Sequence, residues 1–524
     1  MSNQSDLDLS TDKKTGPVEC LGQTFESDEA RRAHYTELLR EKLKDPEFRK
    51  IEGFPIGEDE DILNLSDPPY YTACPNPWIG DFIAYYGKPY DPKEKYHREP
   101  FAADVSEGKN HPIYNAHSYH TKVPHRAIMR YILHYTEPGD MVFDGFCGSG
   151  MTGVAAQLCG DEKEVRELGY RVDADGQIYN EEGKPFSKLG ARRAVLNDLS
   201  PAATFIAYNY NTPVDVDAFE KEAKRLLNEV EKECGWMYET THTDGTKQRI
   251  DYTVWSEVFT CPDCGGEIIF FDEAFNEKTG KIRGEFTCPH CASKLTKRKL
   301  DRLFQTVVDP ASGSAWKRVK FSPCLIQYRV GRQKYKKRPD EADLDVLRKI
   351  ERIAWPESLP SNRWPIEAMY HGSRIEPKGF SKSHHFFLPR AAHSLSRLWE
   401  RATAVSRDFN KAFIMFFVEQ SIWGLSRMNR YSPSHFSQVN RTLSGVYYIA
   451  SHHSECSPWY NLQGKLSRLA KAFSGRAGAT KTSVISTFSA DSTFAPDNSF
   501  DYIFTDPPFG ENIFYADMNV LAGC

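Results

Sequence analysis

The sequence has no long apolar run and no apolar leader. Its longest uninterrupted apolar stretch, residues 413–418, is far shorter than the roughly 20 residues that a membrane-spanning helix requires. Residues 1–6 read MSNQSD, which is polar and unlike the hydrophobic region of a secretory signal. These two absences argue against a membrane or exported protein, and we expect a cytoplasmic one.

A strong net charge is also lacking. The 67 Lys and Arg residues stand against 72 Asp and Glu residues, so any nucleic-acid surface must be a local patch rather than a uniformly basic coat. With 40% hydrophobic and 27% charged residues, the 524-residue chain has the composition of a globular protein with several domains. Because no export signal is visible, its 12 cysteines favour thiols or metal ligands over disulfides.

A glycine-rich turn follows an apolar segment early in the chain. Residues 140–144, ending in Asp144, lead into Gly145-Phe146-Cys147-Gly148-Ser149-Gly150, and an amphipathic helix begins at Met151. Glycine lets the backbone approach a ligand at a helix N-terminus, which favours a nucleotide-like ligand. The turn lacks both the G-K-[ST] of a phosphate-cradling loop and the complete G-x-G-x-x-G of a dinucleotide site, so neither of those site classes is expected.

A second acidic residue ends the next apolar segment. Residues 194–196 lead to Asn197-Asp198, where a carboxylate is placed to accept hydrogen bonds from the ribose hydroxyls of an adenosine. The interval from the glycine turn is longer than usual because the charged, Gly-rich residues 161–188 read as an inserted surface hairpin. The alternative role for Asp198 is a helix cap ahead of Ser200-Pro201.

The most informative segment lies near the end of the chain. Apolar residues 500–504 deliver Thr505 and then Asp506-Pro507-Pro508-Phe509. Two prolines fix the backbone and remove two donors, which leaves carbonyls beside the Asp carboxylate, and the aromatic supplies a stacking face. Such a turn suits an exocyclic base amine, whose delocalised lone pair must be localised before it can attack. The alternative interpretation is a strand followed by a proline turn.

The glycine turn and the D-P-P-F segment together resemble the S-adenosylmethionine-dependent amino-group DNA methyltransferases, with N6-adenine and N4-cytosine members. Residues 142–152 are similar to the family's cofactor motif D-P-F-x-G-S-G-T-T, with Gly145 and Met151 as departures. Residues 120–124, including Thr121, resemble the family's other cofactor segment. A further apolar segment, residues 484–488, leads to Ser489-Ala490-Asp491.

The resemblance implies roles for these residues. Phe146, Gly148 and Gly150 with Asp144 and Thr121 would hold the methionine side of the cofactor, while Asp198 would bind its ribose and Asp491 its adenine. The target amine would be held by Asp506 and the Pro507 carbonyl, with Pro508 fixing the turn and Phe509 stacking on a flipped base. The leading Asp favours adenine N6. A role in restriction or phage defence follows from the family only.

The resemblance also implies an α/β fold, a class I Rossmann-like sheet in the order 3-2-1-4-5-7-6. Residues 510–524 are too few for the strands that should follow the D-P-P-F strand. We therefore expect a sheet that is incomplete on its C-terminal side, a truncated chain, and activity that depends on a longer chain or on a partner polypeptide completing the sheet.

A second D-P-P tetrapeptide competes with the first. Asp67-Pro68-Pro69-Tyr70 matches D-P-P-Y more closely, but it follows a weaker strand signal, residues 59–66. If it were catalytic, the interval from Tyr70 to Asp144 would have to hold a strand, helices and a target-recognition region, and it is too short for them. We favour Asp506 and interpret residues 67–70 as a loop that covers the cofactor or substrate cleft.

Four cysteines have the spacing of a zinc ribbon. Two C-P-x-C knuckles, Cys261 with Cys264 and Cys288 with Cys291, are separated by a hairpin-like stretch. Paired thiolates of this kind bind structural Zn²⁺ in a closed tetrahedral site, so His290 is not needed as a ligand and catalytic zinc chemistry is not expected.

A basic stretch without acidic residues follows the ribbon. Residues 311–338 interleave lysines and arginines with aromatic residues, which is typical of contact with phosphates and exposed bases, although a charge run is often only a solvated face. We expect a surface for double-stranded DNA there. Its candidate contacts are Lys317, Arg318, Lys320, Arg329, Arg332 and Lys334.

The motifs divide the chain into five regions. We expect an N-terminal extension (1–110), the cofactor half of the catalytic domain (111–212), an insertion with the ribbon and basic patch (213–345), a helical insertion that serves target recognition (346–480) and the catalytic-motif half (481–524). Residues 391–425 read as helical. His384-His385 has no acidic neighbour in sequence and is interpreted as loop.

Three other functions remain open from the sequence. The same turn can hold any planar amine, so the substrate class extends to RNA and to protein glutamine amides. A different class is a non-catalytic zinc-ribbon DNA-binding fragment.

Overall fold

The computed structural model describes residues 16–93, 95–119, 122–364, 375–406, 411–433, 447–474, 481–491, 493–508, 520–521 and 523. The chain forms two compact units, which are described separately. Unit 1 comprises Met1–Lys109, Lys122–Thr212 and Thr480–Pro507, and unit 2 comprises Asn110–Thr121, Pro213–Ala479 and Pro508–Cys524.

The strands of the described residues are, in chain order, β1 Val18–Cys20, β2 Gln23–Phe25, β3 Met141–Asp144, β4 Arg171–Val172, β5 Gln177–Tyr179, β6 Pro185–Lys188, β7 Arg193–Asp198, β8 Glu239–Thr241, β9 Lys247–Thr260, β10 Glu267–Ile269, β11 Phe275–Asn276, β12 Lys281–Ile282, β13 Phe286–Thr287, β14 Lys294–Leu295, β15 Asp301–Arg302, β16 Phe304–Val308, β17 Ala315–Val319, β18 Phe321–Val330, β19 Gln333–Lys337, β20 His452–Cys456, β21 Ser483–Thr487 and β22 Tyr502–Ile503. The α-helices are α1 Asp28–Leu43, α2 Pro46–Arg49, α3 Asp59–Leu65, α4 Ile79–Tyr86, α5 Pro112–Asn115, α6 His125–Tyr135, α7 Met151–Leu158, α8 Glu162–Glu167, α9 Pro201–Asn211, α10 Val216–Cys234, α11 Phe270–Ala274, α12 Glu341–Glu351, α13 Pro389–Ala404, α14 Lys411–Glu419, α15 Ser421–Leu425 and α16 Pro458–Phe473.

Unit 1 is built on a parallel sheet in the order β21-β7-β3-β22. Val142 of β3 pairs with Ala194 of β7 and with Tyr502 of β22, and Val484 of β21 pairs with Val195. The central strands are apolar and buried on both faces, as expected of a parallel sheet covered by helices. This order corresponds to strands 3-2-1-4 of the expected Rossmann-like sheet.

Backbone hydrogen bonds extend this sheet beyond β21. Ile485 donates to the carbonyl of Tyr70 at 2.8 Å, Thr72 donates to the carbonyl of Ile485 at 3.2 Å, and Thr487 donates to the carbonyl of Cys74 at 3.2 Å. Residues 70–74 therefore run parallel to β21 and cover its edge. At the opposite edge Ile503 of β22 is 59% exposed.

Helix α6 shows why the aromatic residues of this unit recur at helical spacing. Ile128 and Ile132 are buried, and the neighbouring tyrosines of the helix reach β22. The ring of Tyr135 stacks on Tyr502 with centroids 5.1 Å apart, and that of Tyr131 lies 5.7 Å from Phe504. The helix thereby fixes the position of the strand that delivers Asp506.

The segment predicted as an inserted hairpin forms helix α8 followed by an antiparallel sheet in the order β4-β5-β6. Ile178 is fully buried, whereas the charged tip around residues 181–184 is exposed. The insertion lengthens the connection between β3 and β7 without interrupting the parallel sheet.

Unit 2 is organised around the long strand β9. It pairs antiparallel with β18 and β20, and also with β8, β10 and β15. The ten successive residues from Ile250 to Phe259 are all buried, because other elements cover both faces of the strand. Helices α10, α13, α14, α15 and α16 supply the second layer, which agrees with the helical pattern expected for residues 391–425.

The region of the four knuckle cysteines packs on one end of β9. Its small core contains Phe259, Ile268, Phe270 and Phe286 together with two of the four knuckle cysteines. The hairpin expected between the knuckles is present as β11 with β12, preceded by helix α11. In the part of the chain that the structure describes, no helix is both long and apolar enough to cross a bilayer.

Candidate active site and zinc centre

The glycine turn joins β3 to α7 and has a fixed backbone. Gly150 lies in the left-handed region with φ 73°, and a Cβ there would fall 2.7 Å from the Cβ of Ala207, so both conformation and space require glycine. The amide of Gly150 donates to the carbonyl of Cys147 at 2.7 Å, and that of Cys147 donates to the carbonyl of Asn197 at 2.9 Å. The turn is thus tied to the end of β7.

Asp198 completes this link. Its Oδ2 accepts the Gly148 amide at 2.9 Å, and its Oδ1 accepts the Ser200 amide at 2.9 Å. Burial raises the pKa of Asp198 and the backbone donors lower it, with a net rise. Each carboxylate oxygen still has a free lone pair for a ligand hydroxyl, so the cap role and the ribose role are compatible.

Asp144 is turned into the protein. It is 5% exposed; its Oδ2 accepts the Thr152 hydroxyl at 2.5 Å and its Oδ1 accepts the Phe146 amide at 3.1 Å. Burial raises its pKa to about 7, and the Thr152 and Thr505 hydroxyls lower it in part. Asp144 therefore supports the turn from below, whereas the Phe146 ring is 42% exposed.

The carboxyl end of β21 lies beside the same turn. A Cβ built on Gly145 would be 3.6 Å from the Cβ of Ala490, and the next residue, Asp491, is exposed. In a parallel sheet the carboxyl ends of the strands share one edge, where ligands bind. The structure thus brings Asp198, Asp491 and the glycine turn to one edge. Thr121 lies outside the described residues.

The N-terminal extension also reaches this edge, which the sequence analysis missed. The amide of Ser489 donates to the carbonyl of Glu52 at 3.0 Å. Gly53, with φ 77°, lies so close that a Cβ there would meet Leu199 at 2.5 Å. A lone glycine in a charged segment gives no sequence signal for such a contact.

Asp506 follows β22 at the same edge. Thr505, directly before it, lies near enough to Asp144 to lower the pKa of that carboxyl. Asp506, Pro507 and Pro508 are exposed, and partial burial raises the pKa of Asp506 above its ordinary value. Because β22 is the neighbour of β3, this strand order places Asp506 next to the glycine turn. Phe509 lies outside the described residues.

Asp67 has different surroundings. It is 3% exposed, and its carboxylate accepts hydrogen bonds from Arg31 at 3.0 Å, Arg32 at 2.9 Å, Tyr208 at 2.8 Å and Lys481 at 2.8 Å. Burial by itself raises the pKa of Asp67, but the nearby cations outweigh it and hold the pKa well below its usual range. All four neighbours are protein groups, as in a structural ion cluster.

The two D-P-P segments lie at opposite ends of the parallel strands. Residues 70–74 run parallel to β21, so Asp67 precedes that segment just as Lys481 precedes β21. Both are therefore at the amino ends of the strands, away from the glycine turn and Asp506. The expectation that residues 67–70 form a loop over the cleft differs from this structure, because Tyr70 to Cys74 are used as a sheet extension.

The four knuckle cysteines converge in unit 2. The Sγ atoms of Cys261 and Cys291 are 3.8 Å apart, as are those of Cys264 and Cys288. A tetrahedral zinc with Zn–S bonds of about 2.3 Å has S–S edges of about 3.8 Å, whereas a disulfide needs about 2.05 Å. The cluster fits Zn²⁺. His290 is not part of it, because its Nε2 bonds the Glu267 carbonyl at 2.8 Å.

The predicted DNA-contact residues separate into free and paired cations. Lys317 on β17 and Arg332 and Lys334 at the β18–β19 turn are exposed. Lys320, in contrast, pairs with Glu267 at 2.7 Å. Because an acidic partner neutralises a cation, Lys320 contributes less to a phosphate-binding field.

Two more predicted contacts are not free cations at the protein surface. Arg329 pairs with Asp251 at 2.9 Å. Arg318 is largely buried and lies over the Trp316 ring, with its Cζ 4.9 Å from the centroid. The continuous basic stretch of the sequence is thus reduced to the three free cations at the surface.

The sequence gives His384 and His385 no acidic neighbour, but in the structure both rings lie beside the Asp309 carboxylate. Each Nε2 lies 3.0 Å from one oxygen of Asp309, and Lys382 lies 3.0 Å from the same carboxylate. The Ser381 amide donates to Nδ1 of His385, so the proton of that ring is on Nε2 and points at Asp309. A metal-binding imidazole needs the opposite arrangement. The trio is a hydrogen-bonded clamp.

Comparison with known proteins gives one family match. Residues 30–176 match the family model of the N6/N4 DNA methylases. The matched segment is less than a third of the chain, and over that segment the chain is similar to the DNA methylases. No curated protein and no solved structure matches the chain.

The matched region includes one of the two candidate catalytic segments. It contains both Asp67-Pro68-Pro69-Tyr70 and the glycine turn, and it ends before Asp506. The family match therefore leaves both D-P-P segments as candidates, and the strand order is the observation that separates them.

Proposed function

We propose that this protein transfers a methyl group from S-adenosylmethionine to an exocyclic amine of double-stranded DNA, adenine N6, with Asp506 and Pro507 at the reacting amine. The observation that carries the proposal is the adjacency of β3 and β22. It supports a cofactor turn and a D-P-P turn that share one edge of a parallel sheet.

The cofactor, when bound, supplies an electrophilic methyl group on a sulfonium. The exposed Phe146 and the backbone of Gly148 and Gly150 would hold its methionine portion, while Asp198 would accept from the ribose hydroxyls and Asp491 from the adenine amine. Leu199, which is 57% exposed beside Asp198, adds apolar surface for the base.

The Asp506 carboxylate and the Pro507 carbonyl would accept hydrogen bonds from the amine and localise its lone pair on nitrogen. As the nitrogen forms its bond to the methyl carbon, the methyl–sulfur bond would break and its electron pair would stay on the sulfur, which leaves as a neutral thioether. The extra proton on nitrogen would pass to the Asp506 carboxylate and then to solvent. Partial burial raises the pKa of Asp506, which makes its carboxylate a better hydrogen-bond acceptor. Positioning supplies most of the acceleration, since no strong base is required. Pro508 fixes the turn and Phe509 stacks on the flipped base.

The remaining regions fit target binding. The Cys261, Cys264, Cys288 and Cys291 centre would hold a structural Zn²⁺, and Lys317, Arg332 and Lys334 would contact phosphates near it. The helical region of residues 346–480 would read the target. The biological context we propose is restriction-modification or phage defence, with a restriction or defence protein as partner.

The deciding experiment compares Asp506→Ala with Asp67→Ala in cells that express the chain, and sequences the DNA for methylated adenine and cytosine. We expect a mark from wild type and none from Asp506→Ala, while isothermal calorimetry shows cofactor binding unchanged in that variant. Asp198→Ala should instead lose cofactor binding. Equal marks from wild type and Asp506→Ala, with loss in folded Asp67→Ala, would move the active site to Asp67.

A further inference from the structure

Among the described residues of unit 2, two arginines form no ion pair with a carboxylate. Arg427 is 3% exposed, and its Nε and Nη1 have no hydrogen-bond partner; Nε of Arg318 is also unpartnered. The Arg427 guanidinium carbon lies 5.9 Å from the ring centroid of Phe321 and 5.6 Å from that of Phe380. Aromatic faces recover only part of the free energy that a guanidinium loses on leaving water.

The other buried cations of this region are paired. Arg390 bonds Glu455 at 2.6 Å, and Lys378 bonds Glu257 at 2.9 Å. Glu257 also accepts from Arg302 at 2.9 Å. Glu455 keeps its Oε1 without a hydrogen-bond partner and acts on Arg427 only through its charge, as Glu351 acts on Arg318. Neither Arg318 nor Arg427 therefore has an ion pair among the described residues.

The two guanidinium groups lie near each other, because Arg318 lies over Trp316, whose ring centroid is 5.8 Å from that of Phe380, the ring that Arg427 also approaches. Burial and then the charge of Arg318 lower the pKa of Arg427 well below its usual range. His453 is fully buried with its ring centroid 4.9 Å from that of Phe321, and neither of its ring nitrogens has a partner. Arg427 and His453 thus lie at the same buried ring, and Arg318 lies beside the neighbouring aromatic residues.

We propose that Arg318, Arg427 and His453 form a binding site for a phosphate group. The planar donor fork of a guanidinium matches the spacing of two phosphate oxygens, and a doubly charged oxyanion balances two unpaired cations. Neutral His453 adds one further N–H. Free phosphate and a DNA phosphate share this chemistry. The proposal does not rest on methyl transfer, because free phosphate is a sufficient probe.

The test is thermal unfolding of the full chain at constant ionic strength, in chloride, in chloride with inorganic phosphate, and in chloride with a short DNA duplex. We expect phosphate or DNA to raise the Tm of wild type. Arg427→Met should raise the Tm in chloride alone, because it removes a buried charge that has no ion pair, and should abolish the ligand-dependent rise. A rise with DNA only would identify the DNA backbone as the source.

Arg390→Met is the matched control. It breaks a buried ion pair, so its Tm in chloride should fall, while the ligand-dependent rise persists. Arg318→Met repeats the test at a less buried position if Arg427→Met does not fold. The proposal is overturned if neither ligand shifts the Tm of wild type, or if Arg427→Met behaves like Arg390→Met.

Discussion

The hydroxyl of Thr152 donates to Oδ2 of Asp144 at 2.5 Å, beneath the glycine turn. Helix α7 thereby returns a hydrogen bond to the strand that precedes the turn. The carboxyl that receives this bond is buried, and burial raises its pKa to about 7. The stability of the glycine turn is consequently linked to pH.

Asp144→Asn should remove that link, because an amide does not titrate in this pH range. Because the folded-state pKa of Asp144 lies above its ordinary value of 3.8, the folded protein retains a proton that the unfolded chain releases. Its contribution to the unfolding free energy falls by as much as about 4 kcal/mol as pH rises from about 4 to about 7. Urea unfolding should show the variant gaining on wild type over this range. A constant difference would contradict the prediction. Thr152→Val removes a hydrogen bond that lowers the pKa of Asp144, so the unfolding free energy of this variant should decline more steeply with pH than that of wild type.

Asp67→Asn should act on stability rather than on chemistry. The substitution removes the buried carboxylate that Arg31, Arg32 and Lys481 share and leaves them only Asp28, which is 41% exposed. Removing one partner of a buried ion cluster costs about 3–5 kcal/mol, and the remaining Asp28 pairs should keep the loss at or below that range. Since the pKa of Asp67 is held well below 3.8, wild type should keep this stabilisation above about pH 4 and lose it in stronger acid. Chemical denaturation measures both effects, with exposed Asp91→Asn as control. A variant as stable as wild type would argue against a structural cluster.

From the cluster of four cysteines we expect one bound zinc ion per chain. Cys264→Ser removes one of four thiolate ligands and should lower the zinc content measured by atomic emission to well below one ion per chain, with a lower Tm. His290→Asn is the matched control, because this side chain lies in the knuckle yet bonds the Glu267 carbonyl. Full zinc in Cys264→Ser together with loss in His290→Asn would reassign the fourth ligand.

On the candidate DNA surface, we expect exposed lysines and a paired lysine to contribute differently to DNA binding. Lys317→Ala and Lys334→Ala should each weaken DNA binding and reduce the slope of log affinity against log salt by about one, because each removes one phosphate contact. Lys320→Ala, whose ammonium pairs with Glu267, should change the slope by much less. Fluorescence anisotropy over a salt series checks this, and equal slopes for all three variants would reject the assignment.

The sequence was most informative where a local motif suffices. Cys261 and Cys264 lie in one knuckle and Cys288 with Cys291 in the other, and that spacing alone predicts a four-thiolate cluster. The acids after apolar segments, Asp144 among them, were found because parallel strands place their carboxyl ends together. Their catalytic and cofactor roles stay predictions.

Partners that are distant in the chain could not be found in this way. Asp309 lies far from His384 in sequence, and periodicity gives no sign that the two will meet. The same holds for Asp67 and Lys481, and for Gly53 beside Leu199. The basic stretch was overestimated because Glu267 and Asp251, which neutralise two of its members, lie outside it.

The position of β21 has a consequence for the order of folding. This strand separates residues 70–74 from β7, yet it is encoded after the whole of residues 213–479. During synthesis the ribosome releases β3 and β7 first, and although these strands pair with each other, their outer sides must wait for β21 and β22 until the intervening region has emerged. Contacts of such long sequence separation form slowly. Unit 2 can fold meanwhile, so the parallel sheet that carries the candidate active site is assembled last.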